Sequence, residues 1–107
     1  MILKRDTQTH DLSGADATIE MAEKIGDKKT FTCQLSWENV DDVDTVIKLQ
    51  GSNDKVNFDD LGVQKILTTS SGSATLTDAD FPHDFGFVDI QKNSSTTGII
   101  KFKFIAK

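Results

Sequence analysis

Two groups of carboxylates have the chemistry of a hard-cation site. Asp54, Asp59 and Asp60 form one, and Asp78, Asp80 and Asp84, around Phe81-Pro82-His83, form the other. Either set could offer oxygen ligands to calcium, but neither has the spacing or the obligatory glycine of an EF-hand loop, so both read as solvated acidic loops. His10 and His83 are the only histidines, and neither stands at helical spacing from a second histidine or beside companion cysteines. That leaves no zinc site and no metal assignment. Cys33, the only cysteine, can form neither an intrachain disulfide nor a thiolate cluster. It alternates with Phe31, Leu35 and Trp37, where a thiol packs as a small hydrophobe rather than acting as a nucleophile.

Serine and threonine are plentiful, but there is no Gly-x-Ser-x-Gly elbow, and the two histidines have no preferred serine partner. The seven glycines are scattered beside turns and strand ends, not gathered into a phosphate-binding loop. Paired carboxylates for glycoside hydrolysis stay open, since any two acids can face one another in a fold, although a domain this small rarely encloses the cleft. Asn93-Ser94-Ser95 matches a glycosylation sequon, without a secretion signal to give it meaning. No cofactor is implied, and the residue types point away from an enzyme and toward binding or assembly.

The most distinctive local motif is Leu49-Gln-Gly-Ser-Asn-Asp-Lys-Val-Asn-Phe58. Ser52, Asn53 and Asp54 carry short polar side chains that bond nearby backbone N–H groups, and Asn and Asp tolerate left-handed conformations. The bland reading is a well-made hairpin turn from which Phe58 returns to cover the core. The functional reading is a ligand loop tipped by Ser52, Asn53 and Asp54. Trp37 with Phe31, Phe58, Phe85, Phe87, Phe102 and Phe104 could form an aromatic platform for sugars, but strand alternation assigns these rings to the core.

Charge narrows the partners. The 107 residues carry a net charge of -5 with a pI near 4.8, which argues against nucleic acid, whose binding depends on Lys and Arg neutralising phosphates. Apolar runs are far too short to cross a bilayer, so no membrane span is expected. The amino terminus lacks the apolar stretch of a signal peptide, which makes synthesis in the cytoplasm the default. The sum hides an asymmetry: residues 38 to 60 hold seven acids against Lys48 and Lys55, whereas residues 91 to 107 hold four lysines and no acid.

Positioning these groups requires strands. Phe31-Thr-Cys-Gln-Leu-Ser-Trp37 alternates at period two, with Phe31, Cys33, Leu35 and Trp37 on one face. Val43, Thr45, Ile47 and Leu49 form the next alternating set, and a hairpin through residues 38 to 42 is the economical connection. Residues 85 to 91 and 98 to 106 flank the polar stretch Lys92-Asn-Ser-Ser-Thr-Thr97, again as an expected hairpin, with Ile100, Phe102, Phe104 and Ala106 inward and Lys101 and Lys103 outward. Residues 63 to 69 and 73 to 77 read as shorter strands around the turn Ser70-Ser71-Gly72. Ala17 to Met21 reads as a strand in preference to a capped helix starting at Asp16. Pro82 falls outside the central strands, where a residue without an N–H belongs. About seven or eight short strands in a chain of this length predict an all-β, two-sheet antiparallel sandwich, immunoglobulin-like or jelly-roll-like. Residues 1 to 12 would be an arm or edge strand, and residues 13 to 107 a single domain burying roughly two-thirds of its unfolded surface.

The order of these features resembles a widespread type of small β-sandwich protein encoded among tailed-phage structural genes. The stretches that carry it are Ala17-Thr-Ile-Glu-Met21, Phe31 to Trp37, Thr45-Val-Ile-Lys-Leu-Gln-Gly-Ser-Asn-Asp54 with Phe58, and Asn93-Ser-Ser-Thr-Thr-Gly98, which together span most of residues 17 to 106. Leu-Gln-Gly-Ser-Asn-Asp is the most specific part, although such turns also occur in discoidin-like sandwiches that bind carbohydrate. Position 55 is Lys where the pattern expects Gly. The resemblance implies a virion component, a capsid decoration or cement protein or a fibre or tail domain, and carries no catalytic residue across.

An assembly mechanism follows from the charge asymmetry. Lys101, Lys103 and Lys107, with Lys4 and Arg5 on the amino-terminal arm, would meet an acidic surface on a phage capsid or tail protein or on a neighbouring copy. Residues 38 to 60 would supply that surface between copies, and complementary charge would orient docking more than strengthen it. The alternative is a carbohydrate-binding module that grips a host surface glycan through the Ser52 to Phe58 loop.

Overall fold

A computed structural model describes residues 3–14, 17–20, 30–81 and 83–107, with side chains described in all of these except 3–7 and 17–20. Pro82 and the segment 21–29, which includes Met21, lie outside the described residues. Eight strands and no helix occur among the described residues: β1 (Leu3–Asp11), β2 (Ala17–Glu20), β3 (Phe31–Glu38), β4 (Val46–Ser52), β5 (Asp59–Ile66), β6 (Gly72–Asp78), β7 (Phe85–Gln91) and β8 (Ile99–Ala106). They form two antiparallel four-stranded sheets, in the orders β1-β8-β3-β6 and β2-β7-β4-β5. This interleaving, with the chain crossing between sheets at nearly every connection, is the double Greek key of an eight-stranded jelly roll, not the immunoglobulin order.

The alternation read from the sequence fills the space between the sheets. Phe31, Cys33, Leu35 and Trp37 of β3 and Ile100, Phe102, Phe104 and Ala106 of β8 are all buried, facing Ile47, Leu49, Val88 and Ile90 of the second sheet. Phe31 stacks on Phe104 with ring centroids 5.8 Å apart and touches Phe81 at 5.1 Å. Truncating a ring as fully enclosed as Phe104 to alanine costs about 3–5 kcal/mol. The Trp37 indole N–H donates to the Thr69 carbonyl at 2.9 Å, which satisfies its polar edge and ties the approach to β6.

The two expected hairpins do not form. β3 and β4 lie in different sheets, as do β7 and β8, so residues 39–45 and 92–98 are crossovers that span the sandwich rather than turns within a sheet. The alternation on each strand is compatible with both outcomes, because period two reports which face is buried and not which strand is the neighbour. Val43 shows the cost of the misreading. Expected inward with Thr45, it lies in the crossover, 43% exposed. The hairpin that does form joins β4 to β5 through the Ser52 to Phe58 loop, with Gln50 opposite Asp60 and Gly51 opposite Asp59. Phe58 does not return to the core. It is also 43% exposed and sits edge-on to Phe87, 4.9 Å away, on the outer side of the second sheet.

Candidate functional site

The Ser52 to Phe58 loop turns its polar atoms toward its own backbone. Ser52 is buried, and its hydroxyl accepts from the N–H groups of Asp54 (3.2 Å) and Lys55 (2.8 Å). Asp54 Oδ1 accepts from the N–H groups of Val56 and Asn57, at 2.9 and 2.8 Å, and its Oδ2 accepts from the Asn57 amide. These donors hold the Asp54 carboxyl far below the usual carboxylate range. Asn53 Oδ1 accepts from the Asp84 N–H at 2.9 Å, pinning the loop to the segment before β7. Lys55 has φ of 62°, the left-handed conformation for which the phage-type pattern places glycine, and its ammonium lies 4.6 Å from the centre of the Phe85 ring.

The acids read as a possible cation set are engaged separately. Asp59 faces His83 Nε2 at 3.5 Å, and Asp60 lies 3.7 Å from the Lys48 ammonium. Among the described residues no group of three or more His, Cys, Asp or Glu side chains converges as a metal site. Cys33 is fully buried, and desolvation pushes its thiol up to about 12.

The two crossovers form a clasp at one end of the sandwich. Asp41 Oδ1 accepts from the N–H groups of Thr96 and Thr97, and its Oδ2 from the Thr96 hydroxyl at 2.6 Å. Asp44 accepts from the Ser94 N–H at 2.9 Å and from the Ser94 hydroxyl. The buried Ser95 hydroxyl accepts from Thr45 Oγ1 at 2.9 Å and lies against the Asp42 carbonyl and Asp44 Oδ1. The Asn93 amide donates to the Asp44 carbonyl at 2.7 Å, so the sequon side chain is part of this clasp. Hydrogen bonds from the serine and threonine side lower the carboxyls of Asp41 and Asp44. Much of the acidic middle is therefore engaged in joining crossovers and shaping turns.

The lysines of β8 stand apart. Lys101 and Lys103 project from the outer face of the first sheet, opposite Ser36 and Gln34 of β3, and β3 in turn places Ser36 opposite Ser73 and Gln34 opposite Thr75 of β6. Gln34, Ser36, Ser73, Thr75, Lys101 and Lys103 line a shallow trough of about 640 Å³. Lys107 is exposed beyond β8, its backbone paired with Thr30. Lys4 and Arg5 lie on β1, in register with Ile105 and Phe104; of their side chains nothing is described. Lys4, Arg5, Lys101 and Lys103 thus share one sheet, and the Ser52 loop belongs to the other. The hydroxyl and amide side of the trough was legible only as the polar positions of alternating strands, which look like any solvated face.

The strand edges differ in how they resist pairing. β1 has a register shift between Arg5 and Gln8, β5 carries Asp59, Asp60 and Lys65 with its own register shift, and β2 spans four residues. β6 has none of these protections. Its seven residues run in unbroken register with β3, contain no lysine or proline, and carry a single charge at Asp78.

Among the described residues, these features define an eight-stranded jelly roll with an open polar face and an unguarded edge at β6. No family model matches the chain, and no curated protein matches it. Among solved structures it is similar to a chain from Bacillus endospore appendages, described as forming a novel family of disulfide-linked pili. The TM-score is 0.51 at 15% identity, over 99% of this chain and 88% of that one, a likeness of fold.

Proposed function

We propose that this chain is a non-enzymatic structural subunit that works by assembly, with the β6 edge as the surface that receives a second copy. The unguarded edge carries this reading: natural sheets blunt exposed strands with charge, proline or a bulge, and β6 has been left able to hydrogen-bond another strand along its length. The pilus-forming structural neighbour supports self-association as a use of this fold. Its disulfide linkage does not transfer, because Cys33 is enclosed in the core. Decoration of a tailed-phage head is the setting that the resemblance over residues 17 to 106 implies, with the capsid surface as the second partner and the virion as the location.

The Ser52 to Phe58 loop is the weaker candidate for recognition, since both Asp54 oxygens, the Ser52 hydroxyl and the Asn53 carbonyl oxygen are already bonded within the chain. Ala74 tests the edge. It lies on β6 opposite the inward-facing Leu35, so Ala74→Lys aims a charge inward at the edge, the device by which natural edges refuse partners. Sedimentation across a wide concentration range should show association in the wild type and a monomer with an unchanged circular dichroism spectrum in the variant. A wild-type chain that stays monomeric throughout, or a variant that associates equally well, sinks the proposal.

A further inference from the structure

We propose that the outer face of the first sheet is a binding site for an acidic polysaccharide, a polymer that offers carboxylates and hydroxyls in repeat. This goes beyond assembly at the β6 edge and does not depend on it. Lys101 and Lys103 are two residues apart on β8, so their stems leave the sheet about 6.7 Å from one another on the same side. Neither makes an ion pair or hydrogen bond with another described residue, in contrast to Lys48, which lies against Asp60. Beside them on β3 and β6, Gln34, Ser36, Ser73 and Thr75 also keep their side-chain polar atoms free of bonds to other described residues, whereas the next hydroxyl pair along, Thr32 and Thr77, bond each other at 3.2 Å.

The trough thus combines two cations unpaired among the described residues with a patch that can both donate and accept. That combination suits a ligand with charge and hydroxyls together. A protein partner would be expected to bury aromatic and aliphatic anchors, and protein interfaces are depleted in lysine at their centres. The one ring among the lining residues, Phe102, is 1% exposed and belongs to the core, so it offers the trough no aromatic face. A nucleic acid would meet a chain of net charge -5 and no ring on which to stack a base. Among the described side chains, the acids of this face sit at one end, Glu38 and Asp11 both opposite Ile99, and Asp11 Oδ1 accepts from the Ser13 N–H at 2.9 Å. The remainder of the trough is basic, and complementary charge commits it to an anionic polymer. A β6-paired copy would extend the same face and add avidity.

Calorimetric titration with polygalacturonate oligomers, neutral dextran and poly-glutamate, alongside amide chemical-shift mapping, tests the assignment on the wild type and on the Ala74→Lys chain. Polygalacturonate should bind more tightly than either comparator and shift residues of β3, β6 and β8. Lys101→Gln with Lys103→Gln should weaken it by about tenfold, and Lys101→Arg with Lys103→Arg should retain it. Ser36→Ala with Thr75→Ala, which leaves charge untouched, should weaken it by about threefold. Binding that persists in Ala74→Lys upholds the site whether or not the edge assembles. Poly-glutamate binding as tightly as polygalacturonate, with no effect of the hydroxyl variants, would mark a general anion or acidic-protein surface and overturn the proposal. Shifts confined to another face, or no binding of polygalacturonate, overturn it as well.

Discussion

Ser95 is the point at which the two crossovers depend most on one atom. Its side chain is fully buried, its oxygen accepts from Thr45, and its single proton serves either the Asp42 carbonyl or Asp44 Oδ1. Ser95→Ala removes two hydrogen bonds at about 1 kcal/mol each and leaves the fully buried Thr45 hydroxyl with only its longer bond to the Lys92 carbonyl, a total of about 2–3 kcal/mol. For a domain near a hundred residues this corresponds to a fall in Tm of roughly 10–20 °C. Thermal unfolding followed by circular dichroism reads it directly. Ser94→Ala is the internal comparison, since Ser94 makes contacts to the same aspartates from an exposed position and its loss should stay within about 0.5 kcal/mol. A cycle with Thr45→Val should return a coupling of about 1 kcal/mol between positions 45 and 95. If Ser95→Ala proves no more costly than Ser94→Ala, burial is not what gives the clasp its strength and the reasoning fails.

Three further outcomes are expected. Gly72→Ala brings a Cβ to 2.7 Å from Cζ2 of Trp37, whose ring is held by its bond to Thr69, so overpacking should cost about 1–3 kcal/mol and shift the emission of the single tryptophan. The carboxyls of Asp41, Asp44 and Asp54 titrate below their ordinary value of 3.8 in the folded chain, so their stabilisation is complete above that value and is lost as the pH falls beneath it. The urea midpoint should accordingly hold steady from about pH 7 to 5 and drop below about pH 4, less steeply in Asp41→Asn; an equal slope in both would remove Asp41 from the account. Cys33 should resist a thiol reagent at mildly alkaline pH in the native chain and react at once in denaturant, and fast labelling of the native protein would contradict its burial.

The strands were more legible than their partners. β3 and β8 could be read to within a residue because both alternate strictly and both are half-buried, the condition under which period two is a clean signal. β7 also matches its reading over residues 85 to 91, although its alternation breaks where Phe87 and Val88 are both buried: Val88 faces the core, and Phe87 lies under Phe58. Of the pairings only the β4–β5 hairpin was legible, from the Ser52 to Phe58 turn; the two crossovers were not, because residues 39–45 look alike whether they turn within a sheet or cross between two. The aspartates opposite the Ser94 to Thr97 hydroxyls were the available clue, as a long loop rich in acids needs donors from elsewhere in the chain. On the candidate face, Lys101 and Lys103 stood out by charge. Gln34, Ser36, Ser73 and Thr75 did not, because only register brings them alongside.

The position of β8 has a kinetic consequence. It is the last strand in sequence yet lies inside its sheet, between β1 and β3. Until it docks, β1 has no neighbour in the first sheet, and β3 offers an open side lined by Phe31, Leu35 and Trp37. Closure of that sheet therefore waits on the most distant segment of the chain, which places folding in the slow regime of non-local β topologies. During that interval the β3 edge exposes more pairing surface than β6 ever does in the finished domain, so chaperone capture or misassociation should concentrate there and be relieved by a strand peptide spanning residues 99–106.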